Sequence, residues 1–258
     1  MKLLRLFAAG FSMSVRRMLA FRANLFFDIA VAVAGLTSTV GTILLVFTQT
    51  DQLAGWTRSE TLVLAGTFQL LSGIKATFID PNLSWFPSRG IREGNLDAYL
   101  LQPAPSLFLA SLTTANPLAL VQTLLGLGVV VIGAGRVPSP AGVAAWLLLL
   151  VVGALVTWAL GVLLACLAFW APRLELDVFY GAAWQLGRYP VDVYRQPLRS
   201  MLTYVLPLTL IATLPAGVLL RDPRPAVVLG SVAGGVSAAL LATAVWRLGL
   251  RRYTGATS

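Results

Sequence analysis

The residues that ordinarily carry chemistry are scarce in this sequence. It has no histidine and one cysteine, Cys166, so no Ser/His/Asp or Cys/His nucleophile, no imidazole metal site and no intrachain disulfide can be assembled. No G-x-x-x-x-G-K-[ST] run occurs, so nucleotide is not held here by a P-loop. Any ATP that drives the protein must be hydrolysed by a partner. What remains is charge beside apolar segments. An ionisable group at the bilayer centre is a functional candidate by default. Asp28 and Asp80 fall within about a turn of segment ends, however, and Lys75 is close enough to one to snorkel. Interfacial placement is therefore expected for all three, which weighs against an ion-coupled carrier.

The most informative polar run is Ile91-Arg92-Glu93-Gly94-Asn95-Leu96-Asp97-Ala98-Tyr99-Leu100-Leu101-Gln102-Pro103. Asn95 is a good N-cap and Pro103 a stop, and a helix of about two turns fits between them. Such a helix is too short to be stable alone. Leu96, Tyr99 and Leu100, at i, i+3 and i+4, form an apolar ridge. That ridge can dock in a groove of a cytosolic partner or pack on the chain's own helices, and the spacing does not choose.

These residues must be positioned by a membrane-embedded scaffold. Of 258 residues 57% are hydrophobic and 11% charged, against about 25% charged in soluble domains. The charges cluster and leave several apolar stretches of roughly 20 residues, the length that crosses a hydrocarbon core of about 30 Å. The fold class expected is an all-α polytopic membrane protein, a single transmembrane domain over 1–258. The formal net charge of +9 does not point to nucleic acid, because the basic residues flank apolar segments, where cations orient and anchor helices. Trp56, Trp85, Trp146, Trp170 and Trp246 lie near segment ends, where indoles favour the membrane interface.

Met1 to Arg22 lacks the apolar core and small-residue cleavage site of a signal peptide. Its Leu3, Leu4, Phe7, Phe11, Val15 and Met18 share one helical arc, roughly opposite Lys2, Arg5, Arg16 and Arg17, so 1–24 reads as an amphipathic interfacial helix. Spans are expected over Leu25–Phe47, Glu60–Ile79, Phe108–Ala134 with a kink at Pro117, Gly142–Trp170 and Ala226–Trp246. The polar stretch 80–105 is expected to be a cytoplasmic loop. Basic residues at both termini place both in the cytoplasm, which requires one more crossing and six in all. Arg173, Glu175 and Asp177 interrupt the remaining region, and Pro190, Pro197, Pro207 and Pro215 break it. In one layout Pro172–Arg199 is a cytoplasmic loop and Ser200–Leu220 the fifth span. In the other Leu176–Tyr189 is a short fifth span followed by a broken re-entrant hairpin, since irregular backbone at membrane depth is tolerated only against protein or a cavity.

Gly94, Leu96, Leu100 and Pro103 match the Gly-x-Leu-x-x-x-Leu-x-x-Pro pattern between the second and third helices of type-2 ATP-binding-cassette (ABC) exporter permeases. The resemblance continues in Phe169-Trp170, Gly187-Arg188-Tyr189-Pro190-Val191, Tyr194, Leu198-Arg199, Leu202-Thr203, Pro207 and Pro215-Ala216, nearly the whole chain in order. The chain resembles most the small six-helix bacterial permeases that pair beside a separate ATPase. The resemblance implies that Glu93–Gln102 is a coupling helix, with Glu93, Gly94, Leu96, Tyr99, Leu100 and Pro103 as its coupling residues. It implies that 189–220 is a re-entrant hairpin forming an outer gate, with Tyr189, Pro190, Tyr194, Arg199, Pro207 and Pro215, which selects the second layout. It also implies no cofactor in this chain, ATP and Mg on two copies of an ABC ATPase, a second permease that is a related chain rather than an identical one, and a bacterial cytoplasmic membrane. A structural or assembly protein of the membrane is the alternative, and a secondary transporter a weaker one, since no internal repeat is evident.

Overall fold

The computed structural model describes residues 2–20, 22–135, 137–171, 177–221 and 223–253, and every regular element among them is helical. Arg173, Glu175 and Leu176, at the start of the expected fifth span, lie outside the described residues, as do Met1 and the C-terminal residues after Tyr253.

Helix α1 (Lys2–Ala20) is amphipathic as its spacing requires. Phe7, Phe11, Val15 and Met18 are half-buried while Arg5, Arg16 and Arg17 are exposed. Leu3 and Leu4, on the same arc, are exposed. The rings of Phe7 and Phe11 pack on Phe78, with centroids 5.8 and 6.2 Å away, so α1 is docked on the chain itself.

Helix α2 (Arg22–Val46) follows. Only 17% of its most apolar window is buried inside the chain, and Phe26, Phe27, Val31 and Leu45 are exposed. That much apolar surface would be unfavourable in water and suits a hydrocarbon environment.

Helix α3 is the central rod, Arg58–Arg92, with 61% of its apolar window buried. Thr57 caps it: its hydroxyl accepts from Glu60 N, and the Glu60 carboxylate accepts from Thr57 N at 2.9 Å. The expected end at Ile79 is corrected, because the helix continues past Asp80, Pro81 and Pro87. It does so through widened π-helical turns at Lys75–Ile79 and Phe86–Arg92, which accommodate prolines that a regular helix would expel. At about 1.5 Å per residue the rod is roughly 50 Å long, longer than a hydrocarbon core of about 30 Å. The first part of the expected 80–105 loop is therefore a projecting helix end.

After α4 (Asn95–Leu100) and α5 (Ser106–Leu112) the chain enters α6 (Pro117–Ala134). The expected helix from Phe108 is thus broken before Pro117 rather than kinked there. The broken backbone is satisfied by neighbours. Asn82 receives Thr114 N at 3.0 Å and donates to Thr114 O at 2.8 Å, Asn116 N donates to Thr77 O at 2.8 Å, and Ala115 N donates to Ser14 at 3.2 Å. Helices α3 and α6 cross at Gly66 and Gly126, where a side chain on either would run into the other backbone. Small residues at such a crossing are a common membrane packing device.

Helix α7 (Pro140–Phe169) starts on Ser139, whose hydroxyl accepts from Gly142 N at 3.0 Å, with Pro140 in the first turn. Helix α8 (Asp177–Gln185) ends in a tight turn, Leu186–Arg188. Helices α9 (Leu198–Val205) and α10 (Thr209–Leu220) are bent by 71° at Leu206–Leu208. The last helix, α11 (Pro225–Arg252), packs along α7. Among the described residues five helices are long and apolar enough to cross a membrane, and the bent pair makes a sixth if counted as one span. The protein is an all-α polytopic membrane protein. Trp85 and Trp170 are exposed, whereas Trp56, Trp146 and Trp246 are buried against the chain. Trp146 donates to Thr67 at 3.2 Å inside the bundle.

Candidate functional site

The bundle has two distinct ends. At one, α4 lies against the projecting end of α3. Its first residue follows Gly94, whose φ of 75° is left-handed and suits glycine. Gly94, not Asn95, is thus the N-cap, and no side chain caps the helix. The helix is shorter than the expected Glu93–Gln102, and Leu101 N and Gln102 N close its last turn on Asp97 O and Tyr99 O. Pro103 stands beyond that turn.

The apolar ridge divides. Leu96 is fully buried beside Ile79, Leu83, Phe86, Cys166 and Trp246, with Tyr99 half-buried against the same cluster. Trp246 packs on Phe86 at 5.1 Å and Phe169 at 5.5 Å and donates to Ser106 at 3.3 Å. Leu100, at the ridge's edge, is 47% exposed, and the following Leu101 is 88% exposed. Glu93, Asn95, Ala98, Gln102 and Pro103 are exposed beside them. Leu96 and Tyr99 are therefore internal anchors, which the i, i+3, i+4 spacing alone left open, while Leu100 and Leu101 face outward. Leu101 was not among the residues that the sequence pattern singled out, because it falls off the ridge.

At the opposite end stand the loop before α3, the 189–197 segment and the start of α11. The outer-gate residues expected from sequence come together here only in part. Asp192 accepts from Trp56 Nε1 at 3.2 Å and from Arg199 at 2.5 Å. Arg221 donates to Glu60 at 2.8 Å and lies over the Trp56 ring at 5.2 Å. The hydrogen bond to Glu60 raises the pKa of Arg221 further above its ordinary value. Tyr194 donates to Leu186 O at 2.8 Å, and burial raises its pKa, so it remains a protonated donor. Pro190 and Pro215 are buried, Tyr189 and Pro207 half-buried, and Pro207 stands at the bend between α9 and α10. Trp56, Glu60, Asp192 and Arg221 are the residues missed from sequence. Only Thr57-x-x-Glu60, a capping box, signalled one of them.

Depth along α7 and α3 gives the path of the bent pair. Ile211 lies beside Gly153 and Leu71, whereas Val218 and Leu219 lie beside Gly142 at the start of α7. Both α9 and α10 thus begin or end at the Trp56 end, with their bend inside the bundle. Between α10, α9 and the start of α11 is a cavity of about 950 Å³, bordered by Trp56, Asp192, Arg199, Thr203, Tyr204 and Arg221. Among the described residues no group of three or more acidic, Cys or His side chains could hold a metal ion.

A family model described as ABC-2 family transporter protein matches residues 34–257. No curated protein and no solved structure matches the chain.

Proposed function

This chain belongs to the ABC-2 family of transporter proteins, a membrane permease of an ABC transporter, and we propose that it is the export permease of a complex driven by a separate ATPase. The observation that carries this reading is the split of α4. Leu96 and Tyr99 tie the helix to the transmembrane core while Leu100 and Leu101 stand exposed on its outer side. A push on that outer side reaches α3, α7 and α11 through the cluster around Phe86, Phe169 and Trp246.

In this proposal two ATPase subunits, which hold the ATP and Mg, dock on the α4 helices of two permeases. Glu93, Gly94, Leu100 and Pro103 belong to or border the docked face, and Leu96 and Tyr99 transmit from within. The α4 end is cytoplasmic. Arg5, Arg16, Arg17, Arg89, Arg92, Arg247, Arg251 and Arg252 lie toward it, more basic residues than Arg58, Arg195, Arg199, Arg221 and Arg224 at the Trp56 end, as the positive-inside rule requires. The bent pair then enters from the outside as a re-entrant hairpin, with Tyr189, Pro190, Tyr194, Arg199, Pro207 and Pro215 framing an outer gate. Both termini are cytoplasmic, the membrane is a bacterial cytoplasmic membrane, and the second permease is a related chain.

Transport follows only if the two states of this pair contact cargo differently, because ATP-driven motion without differential affinity moves nothing. The test is Leu101→Asp with Leu100→Asp. A charge on each exposed leucine should abolish capture of the partner ABC ATPase, and ATP-driven efflux with it, while the permease inserts and purifies normally. Undiminished ATPase capture would reject the docking face.

A further inference from the structure

A cleft of about 290 Å³ opens between α2, α3, α6 and α8. It is unusual in what it holds. Gln69, Ser72, Lys75, Asp80, Gln122, Gln185 and Arg188 line it, a polar set inside a chain whose helices are otherwise apolar. Gln69 lies roughly 16 Å along α3 from Arg58 at about 1.5 Å per residue, near the middle of a hydrocarbon core of about 30 Å.

The two cations in the cleft differ. Lys75 reaches toward the α4 end of α3. It pairs with Asp80 at 2.6 Å and stands 5.2 and 5.3 Å from the ring centroids of Tyr180 and Trp184. Trp184 is itself fixed by donating to Ser72 at 2.9 Å. Arg188 has no such partner. Its Nη1 reaches Thr39 at 3.5 Å, its Nε is buried without a hydrogen bond, and no carboxylate among the described residues pairs with it. The amides of Gln69, Gln122 and Gln185 make no side-chain hydrogen bond among those residues either. With Lys75 and Asp80 cancelling, the cleft keeps one positive charge, which is costly at this depth unless an anion meets it.

The other wall is apolar. Val31, Ala32, Gly35 and Leu36 of α2 border the cleft, Gly35 faces open space, and Val31 is 70% exposed. The cleft therefore continues onto a surface suited to an alkyl chain, while its volume holds a headgroup and not a whole lipid.

We propose that this cleft is a headgroup subsite for an anionic amphiphile. A phosphate or carboxylate sits against the Arg188 guanidinium, whose fork suits both groups. The glutamine amides donate to the remaining oxygens, and the tail leaves along α2. That such a molecule is cargo rests on the permease reading; that it binds does not.

The test uses the full-length chain in nanodiscs of phosphatidylcholine and compares binding of dodecyl phosphate, dodecanol, dodecyltrimethylammonium and inorganic phosphate. Dodecyl phosphate should bind about tenfold or more tighter than dodecanol, the size of one charge-assisted contact. Arg188→Gln should remove that preference and Arg188→Lys should keep part of it, both eluting as wild type does on size exclusion. Phosphatidylglycerol in the disc should compete if the anion is a resident lipid, and no competition assigns the subsite to another amphiphile. Equal binding of the two dodecyl compounds, a preference that survives Arg188→Gln, a preference for the cation, or saturation by inorganic phosphate alone would each overturn the proposal. Loss of ATPase capture by the wild-type chain, with the dodecyl phosphate preference intact, would reject the permease reading and leave the subsite standing.

Discussion

At the scale of single residues, neighbouring leucines of one short helix do different work. Leu96 is closed in by Ile79, Phe86 and Trp246, whereas Leu101 touches little of its own chain. Truncating a leucine of the first kind costs about 2–5 kcal/mol in a close-packed core. Leu96→Ala should therefore lower the thermal unfolding temperature of the purified permease measurably, while Leu101→Ala should leave it within error of wild type. Equal destabilisation by both would contradict the division of α4 into inner and outer faces. The sequence marked Leu96, Tyr99 and Leu100 as a ridge, but periodicity reports that a face is apolar and not what covers it. The same limit applies to Trp146 and Trp246. Each finds a hydroxyl partner on another helix, Thr67 and Ser106, which no local pattern reveals.

At the scale of elements, the apolar runs located the membrane helices well, because roughly 20 apolar residues leave few alternatives to a span. The structure departs from the sequence pattern at prolines and charges, which locally mark helix ends. Asp80, Pro81 and Pro87 sit inside α3 because wide turns absorb them, and Pro117 marks a full break because Asn82, Ser14 and Thr77 can satisfy the freed backbone. Both outcomes depend on partners distant in sequence. The bent pair α9 and α10 was foreseeable from Pro207 and Pro215, but its return to the Trp56 end rests on the contacts of Ile211 and Val218. Single cysteines placed in a chain lacking Cys166 test the resulting topology. Labels at positions 59, 139 and 199 should react with an impermeant reagent from outside, and those at 95 and 257 only from the cytoplasm. Reaction of position 199 from the cytoplasm alone would reject the re-entrant hairpin.

At the scale of the whole molecule, much apolar surface is left for other molecules to cover. Helices α2 and α11 leave most of their apolar surface uncovered, with 17% of each most apolar window buried. The chain carries no P-loop of its own. One face of that surface is expected to meet lipid and another a second permease, with the path for cargo between the two. A permease of this kind is expected to work only as part of such an assembly. Native mass measurement of the complex purified from membranes, with the permease and its partner ABC ATPase co-expressed, tests it most directly. The account predicts a mass for two permease chains and two ATPase chains, reduced to free permease by the Leu100→Asp and Leu101→Asp pair. A permease that purifies alone as a monomer and transports in liposomes without any ATPase would contradict it.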